Sequence, residues 1–444
     1  MAETDTDAAV DKFDASISSD ALDERAPGLF RRYGRLPRNV VVISLVSLLN
    51  DASSEIIYPL LPVFLSVALG ASPAVIGLIE GGAESVSSFL KLFAGYFSDR
   101  SGRRKTLVVS GYALASIVRP LLGFATSWPQ VFAVRFTDRV GKGIRSAPRD
   151  AMIADSADPS ERGLAFGFHR AMDHLGAVVG PLLGFALLVL IASNYNSPTL
   201  QEYRLIFLAA SVPALAAVLV AAFAIRETRR GNVDAARESK NAAPVAVTTA
   251  PPRFSLRGFD GNFKRFLVIL ALFTLSNSSD AFLLLRAREV GISTATIPLL
   301  WAALHVMKVV SSLVGGDLSD RLGRKTLIVT GWLFYAAVYL GFAFVSTVAG
   351  AWTLFLIYGI YFGLVEGAEK ALVADLVPAD KRGMAYGLYN LAFSITVWPA
   401  SLLMGALWSW RGASVAFIAS ACVGTAAALL LALTVHTGAK RIET

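Results

Sequence analysis

Several apolar stretches of this 444-residue chain carry ionisable side chains at helical spacing, and these are the groups that could do chemistry. Asp51 and Glu55 stand four residues apart and Tyr58 follows three later, so on a helix the three share one face. Two carboxylates that close cannot both ionise cheaply, which suits one of them to taking up and releasing a proton. Glu80, Glu84 and Lys91 form a second stripe at spacings of four and seven. Arg135, Asp138, Arg139, Lys142, Arg145 and Arg149 fall within an arc of about 120° at roughly 100° per residue. Such a stripe must face water, acidic partners or an anionic ligand. His169, Arg170, Asp173 and His174 open a further stretch, and histidine titrates near neutrality. Downstream, Asp280 lies beside Asn277 and Ser278, His305 and Lys308 share a face, and Glu366, Glu369 and Lys370 cluster. Tyr358, Tyr361 and Trp398 add polar and aromatic contacts. No group of His, Cys and Glu has metal-ligand spacing, and no nucleophile–base pattern or phosphate loop stands out, so neither a cofactor nor an enzyme is expected.

The segments that hold these groups are membrane-like. The chain is 55% hydrophobic and 17% charged, whereas soluble domains carry about 25% charged residues. A charge at the bilayer centre costs about 3 kcal/mol on the mildest scale, so buried acids and bases must look into a bundle or a watery cavity. About 20 apolar residues span a bilayer. Twelve such runs lie near 39–66, 74–97, 106–126, 128–151, 163–192, 203–225, 264–287, 296–317, 326–347, 351–375, 383–408 and 412–436. Pro59 and Pro62 should interrupt the outer part of the first, and broken spans often line a site.

Bases flank alternate ends of the runs: Arg31, Arg32, Arg35 and Arg38 before the first, Arg103, Arg104 and Lys105 after the second, Arg226 and Arg229 after the sixth, and Lys440 and Arg441 after the last. The loops near 70–73, 126–129 and 346–351 have none, so both termini are expected in the cytoplasm. The net charge of +8 thus sits in short loops, and no nucleic-acid partner is expected. The lone Cys422 excludes an intramolecular disulfide. Residues 1–38 are polar, lack the apolar core of a signal peptide, and are expected to be a disordered tail. Residues 227–262 are a polar stretch with Pro244, Pro251 and Pro252, a linker between two halves at 39–226 and 263–437. A short tail covers 438–444.

The halves repeat. SDRSGRRKTLVVSGY after the second span returns after the eighth as SDRLGRKTLIVTGW, and ADSADPSERGLAFGF after the fourth returns after the tenth as ADLVPADKRGMAYGL. Asp99 matches Asp320, Arg100 matches Arg321, Asp155 matches Asp375, and Arg162 matches Arg382. Two parallel repeats of six spans put a site near the midplane between them.

Here the sequence resembles the major facilitator superfamily. Gly95, Asp99, Arg100, Gly102, Arg103 and Arg104 fit its G-x-x-x-D-R-x-G-R-[KR] turn, and Asp320, Arg321, Gly323 and Arg324 supply the second copy. Gly176, Gly180, Pro181 and Gly184 resemble the G-x-x-x-G-P-x-x-G pattern of its proton-coupled exporters; the second half lacks a copy and has Trp398-Pro399 there. The third family pattern, R-x-x-Q-G-x-G, fits only in part, with Arg135 for the arginine but Asp138 and Arg139 in place of glutamine and glycine. The resemblance implies an all-α membrane protein of twelve transmembrane helices in two pseudo-symmetric six-helix bundles, with the DRxGR turns and Asp155, Arg162, Asp375 and Arg382 gating the cytoplasmic side. It implies a monomer in a bacterial inner membrane that exchanges protons for a small organic solute by alternating access, with the proton as coupling ion. Asp51, Glu55, Tyr58, Glu84, Arg135, Asp138, Arg139, Asp173, Asp280, Lys308 and Glu366 are the candidate cavity residues. The alternative is a proton symporter importing an anion clamped by Arg135 and Arg139. A sensor or structural membrane protein of the same architecture is the competing class.

Overall fold

The computed structural model describes the backbone of residues 36–101, 103–158, 162–227, 256, 258–378 and 382–436. The expected tails over 1–38 and 438–444 and the linker over 227–262 lie wholly or mostly outside these residues.

The described elements are helices, as a bilayer demands of a backbone that cannot bond to water. They fall into twelve segments: α1 (Arg38–Ile57), α2 (Pro73–Ser101), α3 (Arg104–Val118), α4 (Trp128–Ser156), α5 (Arg162–Ile191), α6 (Leu200–Ala209 then Ser211–Ala224), α7 (Gly261–Ser276 then Ala281–Glu289), α8 (Ile297–Leu322), α9 (Arg324–Phe344), α10 (Val348–Leu376), α11 (Arg382–Arg411) and α12 (Ala413–Thr434). Two are broken in ways that bear on function. Pro59 and Pro62 end α1, and the chain continues as a short turn, Leu61–Val63, and a wide one, Phe64–Ala68. α7 parts at Asn277, Ser278, Ser279 and Asp280, so the intramembrane acid sits at the break.

Nine stretches of the described residues are long and apolar enough to cross a membrane by length and composition. α2 and α4 fall short of that measure because they carry the acidic and basic stripes, and in α8 the apolar part is Ile297–Ser311. The outward faces are apolar: Leu190, Phe223, Val268 and Leu433 are largely exposed, which a lipid surround accommodates and water does not.

Within the first half α1 packs on α5 and α6, and α4 packs on both α2 and α3; within the second, α10 packs on α8 and α9, and α12 on α9 and α7. The halves meet where α2 lies along α11 and α5 along α8, two equivalent pairings under the repeat. A Cβ on Gly77 would stand 2.2 Å from the Ser401 carbonyl oxygen, and one on Gly405 2.5 Å from that of Pro73. Bare backbone is what permits the approach. Ala74 N donates to Ser409 Oγ at 3.1 Å and Ser85 Oγ to the Ser394 carbonyl at 2.8 Å. These contacts gather in the half of the molecule remote from the start of α1 and the end of α12, here called the far half.

Candidate functional site

The acids of α1 are set in place by the glycines of α5. A Cβ on Gly176 would lie 2.8 Å from the Leu48 carbonyl oxygen and 3.0 Å from Asp51 Cβ; one on Gly180 would lie 2.6 Å from both the Ala52 carbonyl oxygen and Glu55 Cβ. At Gly184 the neighbour is the Ile56 carbonyl oxygen, 3.1 Å away. The stripe thus lets α5 touch the backbone of α1 over the turns that carry Asp51 and Glu55. Pro181 falls inside the same contact. Asp51 accepts from Asn50 Nδ2 at 2.9 Å, and Asp173, one turn from His169 on α5, lies 3.6 Å from its Nε2.

Glu55 reaches the other half. Its Oε2 accepts a hydrogen bond from Trp301 Nε1 on α8 at 2.7 Å, and the Tyr58 ring packs on the same indole with centroids 5.1 Å apart. His305 meets Trp301 edge-on at 5.0 Å. An acid of the first bundle therefore bonds directly to an indole of the second.

The α4 stripe does not face a single surface. Arg135 grips Glu80 in a fork, Nε to Oε1 at 3.1 Å and Nη2 to Oε2 at 2.7 Å, with both side chains buried. Its guanidinium lies 5.5 Å from the centre of the Tyr58 ring. Asp138 turns instead to Arg119 at 2.8 Å, and that arginine also donates to Ser53 Oγ at 2.7 Å and to the Asn50 carbonyl at 3.3 Å. Asp138 is therefore part of a buried clasp joining α1, α4 and the turn after α3, and with Arg119 and Arg135 it lines a small cavity. Arg145 stacks on Tyr112 at 4.4 Å, and Arg149 bonds to Ser47 at 3.2 Å and Asp150 at 3.0 Å. Arg139 stays near Glu84 at 3.7 Å, and Glu84 keeps 34% of its side chain exposed. Arg139–Glu84 is longer and wetter than the Arg135–Glu80 and Arg119–Asp138 pairs.

In the second half Asp280, at the break in α7, accepts from Tyr358 hydroxyl at 2.9 Å and pairs with Lys308 at 3.3 Å. The ammonium of Lys308 also sits 3.9 Å from the centre of the Phe362 ring. Beside this group a cavity of about 340 Å³ opens between α7, α10 and α11. Its acid is Glu369, whose oxygens accept from Trp332 Nε1 at 2.9 Å and Tyr389 hydroxyl at 2.8 Å. Tyr361 lines it as the sequence suggests, whereas Trp398 packs against Gly81 and Gly82 in the seam between the halves.

The two basic turns are built alike. Arg104 at the start of α3 pairs with Asp155 at the end of α4, and Arg324 at the start of α9 pairs with Asp375 at the end of α10. Each pair joins helices of its own half. Gly323 has φ of 83°, a left-handed backbone that favours glycine between abutting helices. Gly95 lets α2 approach Ala147, with 3.5 Å left for a Cβ. Arg103 precedes α3 and is exposed. Asp99, Arg100, Gly102, Arg162, Asp320, Arg321, Glu366 and Arg382 lie outside the residues whose side chains are described.

The profile of the Major Facilitator Superfamily matches residues 43–398 and, as a second placement, 266–443. The chain belongs to the major facilitator superfamily. An uncharacterised MFS-type transporter of Methanocaldococcus jannaschii is 34% identical over 379 residues, covering 84% of this chain and 89% of that protein. Multidrug resistance protein MdtG of Escherichia fergusonii is 25% identical over 399 residues, covering 87% and 91%. Among solved structures, a bacterial homologue of the human lysosomal transporter Spinster, inward-facing and occupied, superposes with a TM-score of 0.72 at 17% identity, covering 89% of this chain and 95% of that one. The chain is thus a multi-pass membrane protein of a transporter family.

Two functional groups escape a reading of the facilitator's sequence. Arg119 is a lone base between Val118 and Pro120 at the end of an apolar run, a signal visible in the chain but without a visible partner. Trp301 looks like one more aromatic, and only the fold brings it to Glu55.

Proposed function

We propose that the protein is a secondary active transporter that exports a small organic solute across a bacterial inner membrane in exchange for protons, by alternating access. The observation that carries this reading is the bond from Trp301 to Glu55, which ties a carboxylate of one half to the other at 2.7 Å. Rocking of the halves must break it. An ionised carboxylate accepts a hydrogen bond more strongly than a neutral acid, so proton uptake at Glu55 weakens the tie and favours the alternative state. Asp51, one turn away, takes part in the same exchange. A proton shifts the two states only by its differential affinity for them, and a group that changes partners between states supplies that difference. Export is favoured over the import of an anion because Arg135, half of the expected anion clamp, is already committed to Glu80. The likeness to a multidrug resistance protein points the same way. The bases beside α1, α3 and α9 support a cytoplasmic position for both termini, which would make the far half periplasmic.

The test uses proteoliposomes loaded with a pH-sensitive dye and offered a panel of organic solutes. A transported solute should release protons into the lumen or draw them out according to its own gradient. Glu55→Gln and Asp51→Asn should abolish that proton movement while solute exchange continues. Solute-driven proton flux that survives both substitutions contradicts the proposal.

A further inference from the structure

The cavity between α7, α10 and α11 has a composition that selects among organic solutes. Five of its lining residues present rings, Phe273, Tyr361, Phe362, Tyr389 and Phe393, and Glu369 is the acid among them. Glu369 is 8% exposed, and its carboxylate accepts hydrogen bonds from the Trp332 indole and the Tyr389 hydroxyl among its contacts. The indole is itself stacked flat on Phe273, with centroids 4.1 Å apart and planes 3° from parallel, so the acid is aimed by a rigid support. Ring faces carry negative charge density and attract cations within about 6 Å of their centres. Phe362 shows the property directly: it already holds the Lys308 ammonium on one face, and that lysine's charge is met by Asp280.

We propose that this cavity is the docking site for an organic cation, a ring- or alkyl-bearing ammonium whose positive head sits at Glu369 and whose apolar body lies among the rings. The proposal names the substrate class of the transport reading above and rests on it. The volume of about 340 Å³ suits a small solute and falls within the usual range of ligand sites. Asn277 and Asn390 on the lining carry amide oxygens, whose partial negative charge suits a positive head. Lys370 also lines the cavity but is exposed at its edge, one helical position from the buried Glu369. An anion drawn to Lys370 would lie against negative ring faces and beside a carboxylate, whereas a cation that passes Lys370 at the rim meets the ring faces and the Glu369 carboxylate beyond it.

The experiment is calorimetric titration of the purified full-length protein in detergent with benzyltrimethylammonium, phenylacetate and benzyl alcohol, which share a ring and differ in charge. The cation should bind saturably and at least tenfold more tightly than either of the others. Glu369→Gln should weaken the cation at least tenfold, and Phe393→Ala should weaken it several-fold while leaving the protein folded. Phenylacetate binding as tightly as the cation, no saturable heat with the cation, or cation binding indifferent to Glu369→Gln each overturns the proposal. Should Glu369→Gln fail to fold, the ranking of the three probes on the unsubstituted protein decides. No membrane or gradient enters this measurement, so its failure leaves the proton-exchange test standing, and the reverse.

Discussion

At the offset of about 220 residues that carries Asp155 onto Asp375, Asp138, Lys142 and Arg149 of α4 correspond to Tyr358, Phe362 and Glu369 of α10. The first half fills this helix and its neighbours with ion pairs, Glu80 with Arg135, Asp138 with Arg119 and Glu84 with Arg139. The second fills them with rings: Tyr335, Tyr339, Tyr358 and Tyr361 pack together with centroids 4.2 to 6.3 Å apart. One helical frame thus tolerates two kinds of interior. The charged one is costly to assemble and fixes partners sharply; the aromatic one is largely apolar and receptive to an organic guest. The division suggests that the first half handles the proton and the second the solute.

The contrast can be broken most forcefully at Glu80. Glu80→Ala leaves Arg135 charged and unpaired in a buried site, and should lower unfolding stability in detergent by about 3–5 kcal/mol; Glu80→Ala combined with Arg135→Met should recover most of it. If the single substitution is mild, the pair is not the fixed element described here. Gly180→Leu comes next. Its side chain would drive α5 off Ala52 and Glu55, costing about 1–3 kcal/mol and, by the same displacement, the Trp301 bond; solute-evoked proton flux should fall more than stability does. In the second half Tyr358→Phe removes one donor from Asp280, and thermal unfolding should register about 1–3 kcal/mol. The smallest effect is expected at the repeated turns. Arg104→Gln and Arg324→Gln break partly solvated pairs worth about 0–1 kcal/mol, and rising salt should erase the difference from the unsubstituted protein.

Parts of this were legible in the sequence because they are local. The DRxGR turns, the i, i+4 spacing of Asp51 and Glu55 and the proline break after α1 each follow from residues near one another in the chain. What failed to show was partnership across helices. A helical stripe states which residues share a face but not which neighbour meets each of them: acidic partners are expected for the α4 stripe, and Arg135 and Arg139 do meet Glu80 and Glu84, whereas Asp138, Arg145 and Arg149 turn to Arg119, Tyr112 and Ser47. Spacing alone does not show that Glu369 lines a cavity. The twelve helical segments were readable, yet α2 and α4 carry enough charge to fail a test of apolarity, since their charges are neutralised in pairs that hydropathy does not see.

The central claim is that protonation at Glu55 moves the two halves. It is tested most directly by electron-spin distance measurement between labels at Thr106→Cys and Thr326→Cys, exposed sites beside the two basic turns, in a Cys422→Ala background in lipid nanodiscs. Acidification should shift the population toward the shorter distance, as loss of the Glu55–Trp301 tie lets the terminal side close, and in Glu55→Gln the distribution should be the same at acid and alkaline pH. A pH-dependent shift that persists undiminished in Glu55→Gln, or no shift in the unsubstituted protein, contradicts the account.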